Sequence, residues 1–182
     1  MTQTQDIFVI SDKDKIVCPP EQVFKRNNFE FIFSLGGHLV ESQNQYSTLM
    51  TTLKEIGEPH YYLKENLGPT ITDRVTPYEF NISTESTLED LNDQIKNSID
   101  DHFGFSPWHW YVHGQNPDWG IYIAEWPTIL IIGCNKNLTS KFRTVYNIVD
   151  NGYEDIKEFL LTELKLSKDF DAIETFNKNY RV

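Results

Sequence analysis

The run 108–133, WHWYVHGQNPDWGIYIAEWPTILIIG, decides how the chain is read. It holds three blocks rich in aromatic and β-branched residues, Trp108–His113, Gly120–Glu125 and Thr128–Gly133. Such side chains fit a pleated surface and favour strands. The connector from Gly114 to Trp119 and the Trp126-Pro127 step are too short for a crossover helix, so the three strands are predicted to be antiparallel neighbours.

Toward the amino terminus, FEFIFSL at 29–35 reads as a further strand, and Gly36-Gly37 as a turn into a short strand over His38–Glu41. Asn44 is placed to cap a helix from Gln45 to Ile56, in which Tyr46, Leu49, Met50, Leu53 and Ile56 recur at helical spacing before Gly57. A strand at Tyr61–Lys64, a loop from Leu67 to Pro77 and a strand at Tyr78–Ser83 follow. Ser86 with Glu89 forms a capping box for a helix whose stripe is Leu88, Leu91, Ile95, Ile99 and Phe103, stopped by Gly104. The strand–helix–strand order thus occurs twice, without shared residues between the two passages.

Toward the carboxyl terminus, Lys141–Val149 suits either helix or strand, and helices are predicted at Tyr153–Leu164 and Ser167–Asn177. These elements predict an α+β fold, a mainly antiparallel sheet with helices packed on one face. With no low-complexity linker, residues 1–182 form one domain, of which 1–22 is an irregular arm ending at Cys18-Pro19-Pro20.

Hydrophobic residues at 39% and aromatics at 14% give enough apolar surface for a core and exclude a disordered chain. The 27 acidic against 16 basic side chains leave a net charge of −11, which repels nucleic acid and anionic membranes. The longest apolar run, Ile129–Ile132, falls far short of the roughly 20 residues that span a bilayer. No basic leader precedes the short apolar stretch Ile7–Ile10, so the expected location is the cytoplasm. Cys18 and Cys134 lack metal or disulfide spacing.

His109 and His113 have the four-residue spacing of zinc helices, but they stand in a strand. There four residues span about 13 Å, against Zn–N bonds of about 2.0–2.1 Å, so no metal or other cofactor is expected. Alternation puts His109, Tyr111 and His113 on one face and Trp108, Trp110 and Val112 on the other. If His113 pairs with Ile121, His109 meets Glu125, and these four residues could line a pocket for a small ligand or a reaction. No GxSxG, Walker A, GxGxxG, HExxH, EF-hand or kinase pattern is present.

Between 85 and 101 stand Glu85, Glu89, Asp90, Asp93, Asp100 and Asp101 against Lys96 alone. The apolar stripe claims the buried side of that helix, which turns most of these carboxylates to solvent. Asp100 and Asp101 also lie at the helix end where the dipole disfavours negative charge, at about 0.3–1 kcal/mol each. Trp119, in the 114–119 turn, offers an aromatic anchor at a hairpin tip. Together these features predict a non-enzymatic acidic protein that binds a basic partner through Glu89, Asp93, Asp100, Asp101 and Trp119. In type, though in no residue motif, such a chain is similar to the small acidic immunity proteins that inhibit basic toxins or nucleases. The alternative is an enzyme or ligand binder at His109, Tyr111, His113 and Glu125.

Overall fold

In a computed structural model, which describes residues 4–12, 15–25, 28–67, 76–98, 109–166 and 171–182, the three blocks of the 108–133 run become β4 (Trp110–His113), β5 (Trp119–Ala124) and β6 (Ile129–Cys134). They form a meander at the heart of a six-stranded sheet. β1 (Glu30–Leu35) pairs with β6, while the hairpin of β2 (His60–Glu65) and β3 (Glu79–Ser83) adds to β4, giving the order β1-β6-β5-β4-β2-β3. Every neighbouring pair is antiparallel. The predicted α+β class and antiparallel sheet stand.

The helices, however, lie on both faces. One layer is built by α2 (Gln43–Glu55), α3 (Leu88–Ser98) and α4 (Thr139–Tyr146), whose Tyr46, Leu49, Leu53, Leu91 and Phe142 pack with Ile32, Leu63, Ile121 and Ile132 of the sheet. The other is built by α5 (Tyr153–Leu166), α6 (Ala172–Tyr180) and the amino-terminal arm with its one-turn α1 (Thr4–Ile7). Ile156, Leu160, Phe176, Phe8 and Phe24 there cover Phe31, Phe33, Ile131 and Tyr122. The physical reason is in β5 and β6, where all six residues of each strand are buried. A strand without a polar side needs cover twice, because each large apolar side chain gains about 1.5–3 kcal/mol on leaving water. One-sided cover holds only at the β2–β3 end, where burial alternates along both strands.

Two glycines shape the arm's seat. Gly120 and Gly133 are cross-strand partners. A Cβ on Gly120 would stand 2.6 Å from Phe8 Cζ, and one on Gly133 2.9 Å from Phe24 Cδ1. The missing side chains therefore form a notch that the two phenylalanines fill. Tyrosine hydroxyls finish the attachment by donating to arm carbonyls, Tyr111 to Val9 at 3.0 Å and Tyr180 to Glu21 at 2.7 Å. The described part of the arm carries the one-turn α1 and an isolated bridge between Phe8 and Phe24, and it is integral to the core.

Several local expectations move. Residues 38–41 form no strand. α2 starts two residues early because Ser42 is its N-cap, with Ser42 Oγ accepting from Gln45 N at 3.2 Å and Gln45 Oε1 accepting from Glu41 N at 2.6 Å. These reciprocal bonds leave Asn44 no capping role. The capping box of α3 is Thr87 with Asp90, one residue beyond Ser86 and Glu89; Asp90 N donates to Thr87 Oγ1 at 3.1 Å and Thr87 N donates to Asp90 Oδ2 at 2.8 Å. Those bonds hold the Asp90 carboxyl below its usual range, the backbone amide foremost. Ile99, Phe103 and Gly104 lie outside the described residues. The ambiguous 141–149 stretch resolves as helix through Tyr146. No described helix is long and apolar enough to cross a membrane.

Candidate functional site

α3 carries the acidic surface. Leu91 is buried and Leu88 and Ile95 are half-buried on its inner side, which turns Glu89 and Asp93 to solvent. Among the described residues neither carboxylate enters an ion pair, in contrast to Glu85, which Lys54 holds at 2.8 Å. Asp100 and Asp101, the other acids expected here, lie outside the described residues.

Beside this flank runs an open groove of about 320 Å³, between residues 37–42 and α3. Its apolar floor is Leu63, Leu88, Leu91, Ile95, Trp110 and Ile123. His38, Glu41 and Ser42 stand on one bank and Asn92 on the other, all exposed. The Glu41 carboxylate folds against Gly36, where φ is +124° and a Cβ would lie only 2.6 Å from Glu41 Oε1. Leaving a side chain off Gly36 thus makes room for the charge at the groove's edge. Nothing in the linear sequence marked this groove, since its lining comes from five separate stretches.

The row predicted as an alternative pocket takes a different role. His109, Tyr111 and His113 share a face as expected, but the arm lies over them. His113 donates through Nδ1 to the Gly114 carbonyl at 2.8 Å and receives at Nε2 the hydroxyl of buried Thr4, also at 2.8 Å. Tyr122, which faces His109, has its hydroxyl 3.1 Å from His109 Nδ1 and 3.3 Å from the Val17 carbonyl. Asn66 donates to both the Tyr122 hydroxyl, at 2.6 Å, and the Val17 carbonyl, at 2.9 Å. The two histidines therefore belong to separate hydrogen-bond sets. Burial pushes His109 down to about 4 and lowers His113, so both rings stay neutral near pH 7. Burial also drives the Tyr111 hydroxyl up to about 12.

The expected His109–Glu125 pair does not form. The hairpin register places His113 opposite Gly120 and Tyr111 opposite Tyr122, a slip of one residue from the predicted pairing. The observed register puts Ile121 and Ile123 in the α2–α4 layer and Gly120 under Phe8, which the alternative would reverse. Glu125 follows the end of β5, exposed, with its carboxyl raised by partial burial.

Trp119 is also not a surface anchor. It is 1% exposed, packs against Phe142 at a ring separation of 5.4 Å, and donates from Nε1 to Glu58 Oε1 at 3.2 Å. Glu58 is itself buried and accepts from Gln115 N at 2.7 Å and Asn116 N at 3.0 Å. Three N–H donors on one carboxylate fix the 114–119 turn and draw the indole inward. Sequence reasoning missed Glu58; its only signal was Gly114, where a side chain would collide with that carboxylate.

Among the described residues no group of three or more His, Cys, Asp and Glu is placed to hold a metal ion. Cys134 is buried with its thiol pushed up to about 11 by burial, which leaves it a poor nucleophile. The chain shows no significant match to any family model, curated protein or solved structure.

Proposed function

We propose that this is a non-enzymatic binding protein, an inhibitor of the immunity type, whose acidic α3 flank docks on a basic protein. The observation that carries the reading is the exposure of Glu89 and Asp93 on α3, the helix whose Leu88, Leu91, Asn92 and Ile95 line an open apolar groove. Carboxylates that enter no ion pair among the described residues keep their field for a partner, and the net charge of −11 extends it. Buried, neutral His109 and His113 and the buried thiol of Cys134 support the same reading, because these side chains serve the core.

The test is to capture partners from the source cell extract, then measure association rates at low and high salt for the wild type and for Glu89→Lys/Asp93→Lys. Steering predicts an association about tenfold or more slower for the variant at low salt, with the gap closing as salt rises. Unfolding should be unchanged, since both side chains are solvent-exposed. A captured basic partner that associates equally fast with both proteins removes the acidic flank from the interface.

A further inference from the structure

We infer that the groove between residues 37–42 and α3 receives one large apolar side chain of a cationic segment of that basic partner, flanked there by Lys or Arg. This rests on the binding reading above and adds to it the chemistry of the segment recognised.

Size sets the occupant's scale. A volume of about 320 Å³ lies at the bottom of the range for ligand pockets, about 300–1,000 Å³, and suits one anchoring side chain better than a cofactor-sized body. The floor sets its polarity. Leu88, Ile95 and Trp110 are only half-buried, so a Trp or Leu inserted there removes apolar surface on both partners from water.

The banks set the charge of its neighbours. Around α3, at 3.6 residues per turn, Asn92 stands on the groove side of the Leu88–Ile95 stripe, followed round the helix by Lys96, then Glu89 and then Asp93. Lys96 shares this flank and offsets one carboxylate, but Glu41 adds another on the opposite bank. With Glu41 on one bank, and Glu89 and Asp93 outnumbering Lys96 on the α3 flank, the surroundings of the apolar slot are net negative and favour a chain with cations beside its anchor. A second copy of this chain brings net charge −11 to the same place and is repelled.

The experiment uses the full chain with labelled Leu and Ile methyls and backbone amides, titrated by NMR with acetyl-Lys-Arg-Trp-Leu-Arg-Lys amide. Its charge-reversed counterpart, acetyl-Glu-Glu-Trp-Leu-Glu-Glu amide, is the control. The cationic peptide is expected to shift the methyls of Leu63, Leu88, Ile95 and Ile123 together with the amides of Glu89 and Asp93, and the anionic one to shift none of them. Asn92→Trp, which fills the mouth without changing charge, should weaken the methyl response about tenfold or more. The two peptides on the wild type decide the matter even if that variant folds poorly. Amides that move while the methyls stay still leave the acidic flank as a binding surface and overturn the groove inference alone. If neither set moves, both readings fail. Equal methyl shifts from both peptides would mean the groove takes any apolar chain, and methyl shifts on diluting the protein alone would assign it to self-association; either result overturns the cationic segment.

Discussion

Acid should loosen this fold through a specific side chain. His109 is 8% exposed, and its pKa falls from the ordinary 6.5 to about 4 because burial penalises the imidazolium. The unfolded chain therefore takes up the proton first. Stability from this residue is complete above 6.5, declines as pH falls toward 4, and changes no further below that. A shift of this size corresponds to about 3 kcal/mol at the limit, of which about 2 kcal/mol is already gone by about pH 5. His113 is displaced in the same direction by its own burial and adds to the loss. Urea unfolding of the wild type and His109→Gln, at about pH 8 and about pH 5, isolates the contribution, since the carboxylates titrate alike in both proteins. The glutamine keeps a polar reach toward the Tyr122 hydroxyl but carries no titration. The variant's acid-induced loss should be smaller by about 2 kcal/mol. Equal losses in the two proteins, or a folded-state His109 titrating above about 6 by NMR, would refute the reasoning.

Other substitutions probe the remaining features. Glu58→Gln should cost about 1.5–3 kcal/mol in chemical denaturation, because its amide group faces donors where a carboxylate accepted three N–H bonds. An unchanged midpoint would show the turn to be held by something else. Leu91→Ala should cost about 2 kcal/mol or more from the buried side chain it removes, and a loss below about 0.5 kcal/mol would mean the inner face of α3 is misassigned.

What could be seen beforehand followed from periodicity. The six strands and the longer helices were legible because runs such as Phe29–Leu35 and stripes such as Tyr46, Leu49 and Leu53 state their own period. Helix starts were misplaced by one or two residues where neighbouring polar side chains compete for the cap, as Ser42 does with Asn44 and Thr87 with Ser86. Continuous apolar strands signalled cover on both faces, a consequence not drawn when one helical layer was expected. Of the candidate site, the exposed Glu89 and Asp93 were legible from the stripe opposite them. The hairpin register, the burial of Trp119 and the groove were not, because each depends on contacts between distant stretches: Gly120 with Phe8, Trp119 with Glu58, and Glu41 across from Asn92.

The arm's seat carries a consequence for the order of events during synthesis. Phe8 and Phe24 emerge from the ribosome early, yet the notch that receives them is cut by Gly120 and Gly133. Thr4 bonds a residue 109 positions later, and the Val23 amide meets a hydroxyl 157 positions away. A segment translated before the whole sheet is thus among the last to find its place. Until β5 and β6 are complete, the two phenylalanines have no seat, which makes the nascent chain a natural client for holding chaperones. Closing loops of this length sets a high contact order, so folding should be slow for a domain of this size, with the docking of residues 4–24 as its final step.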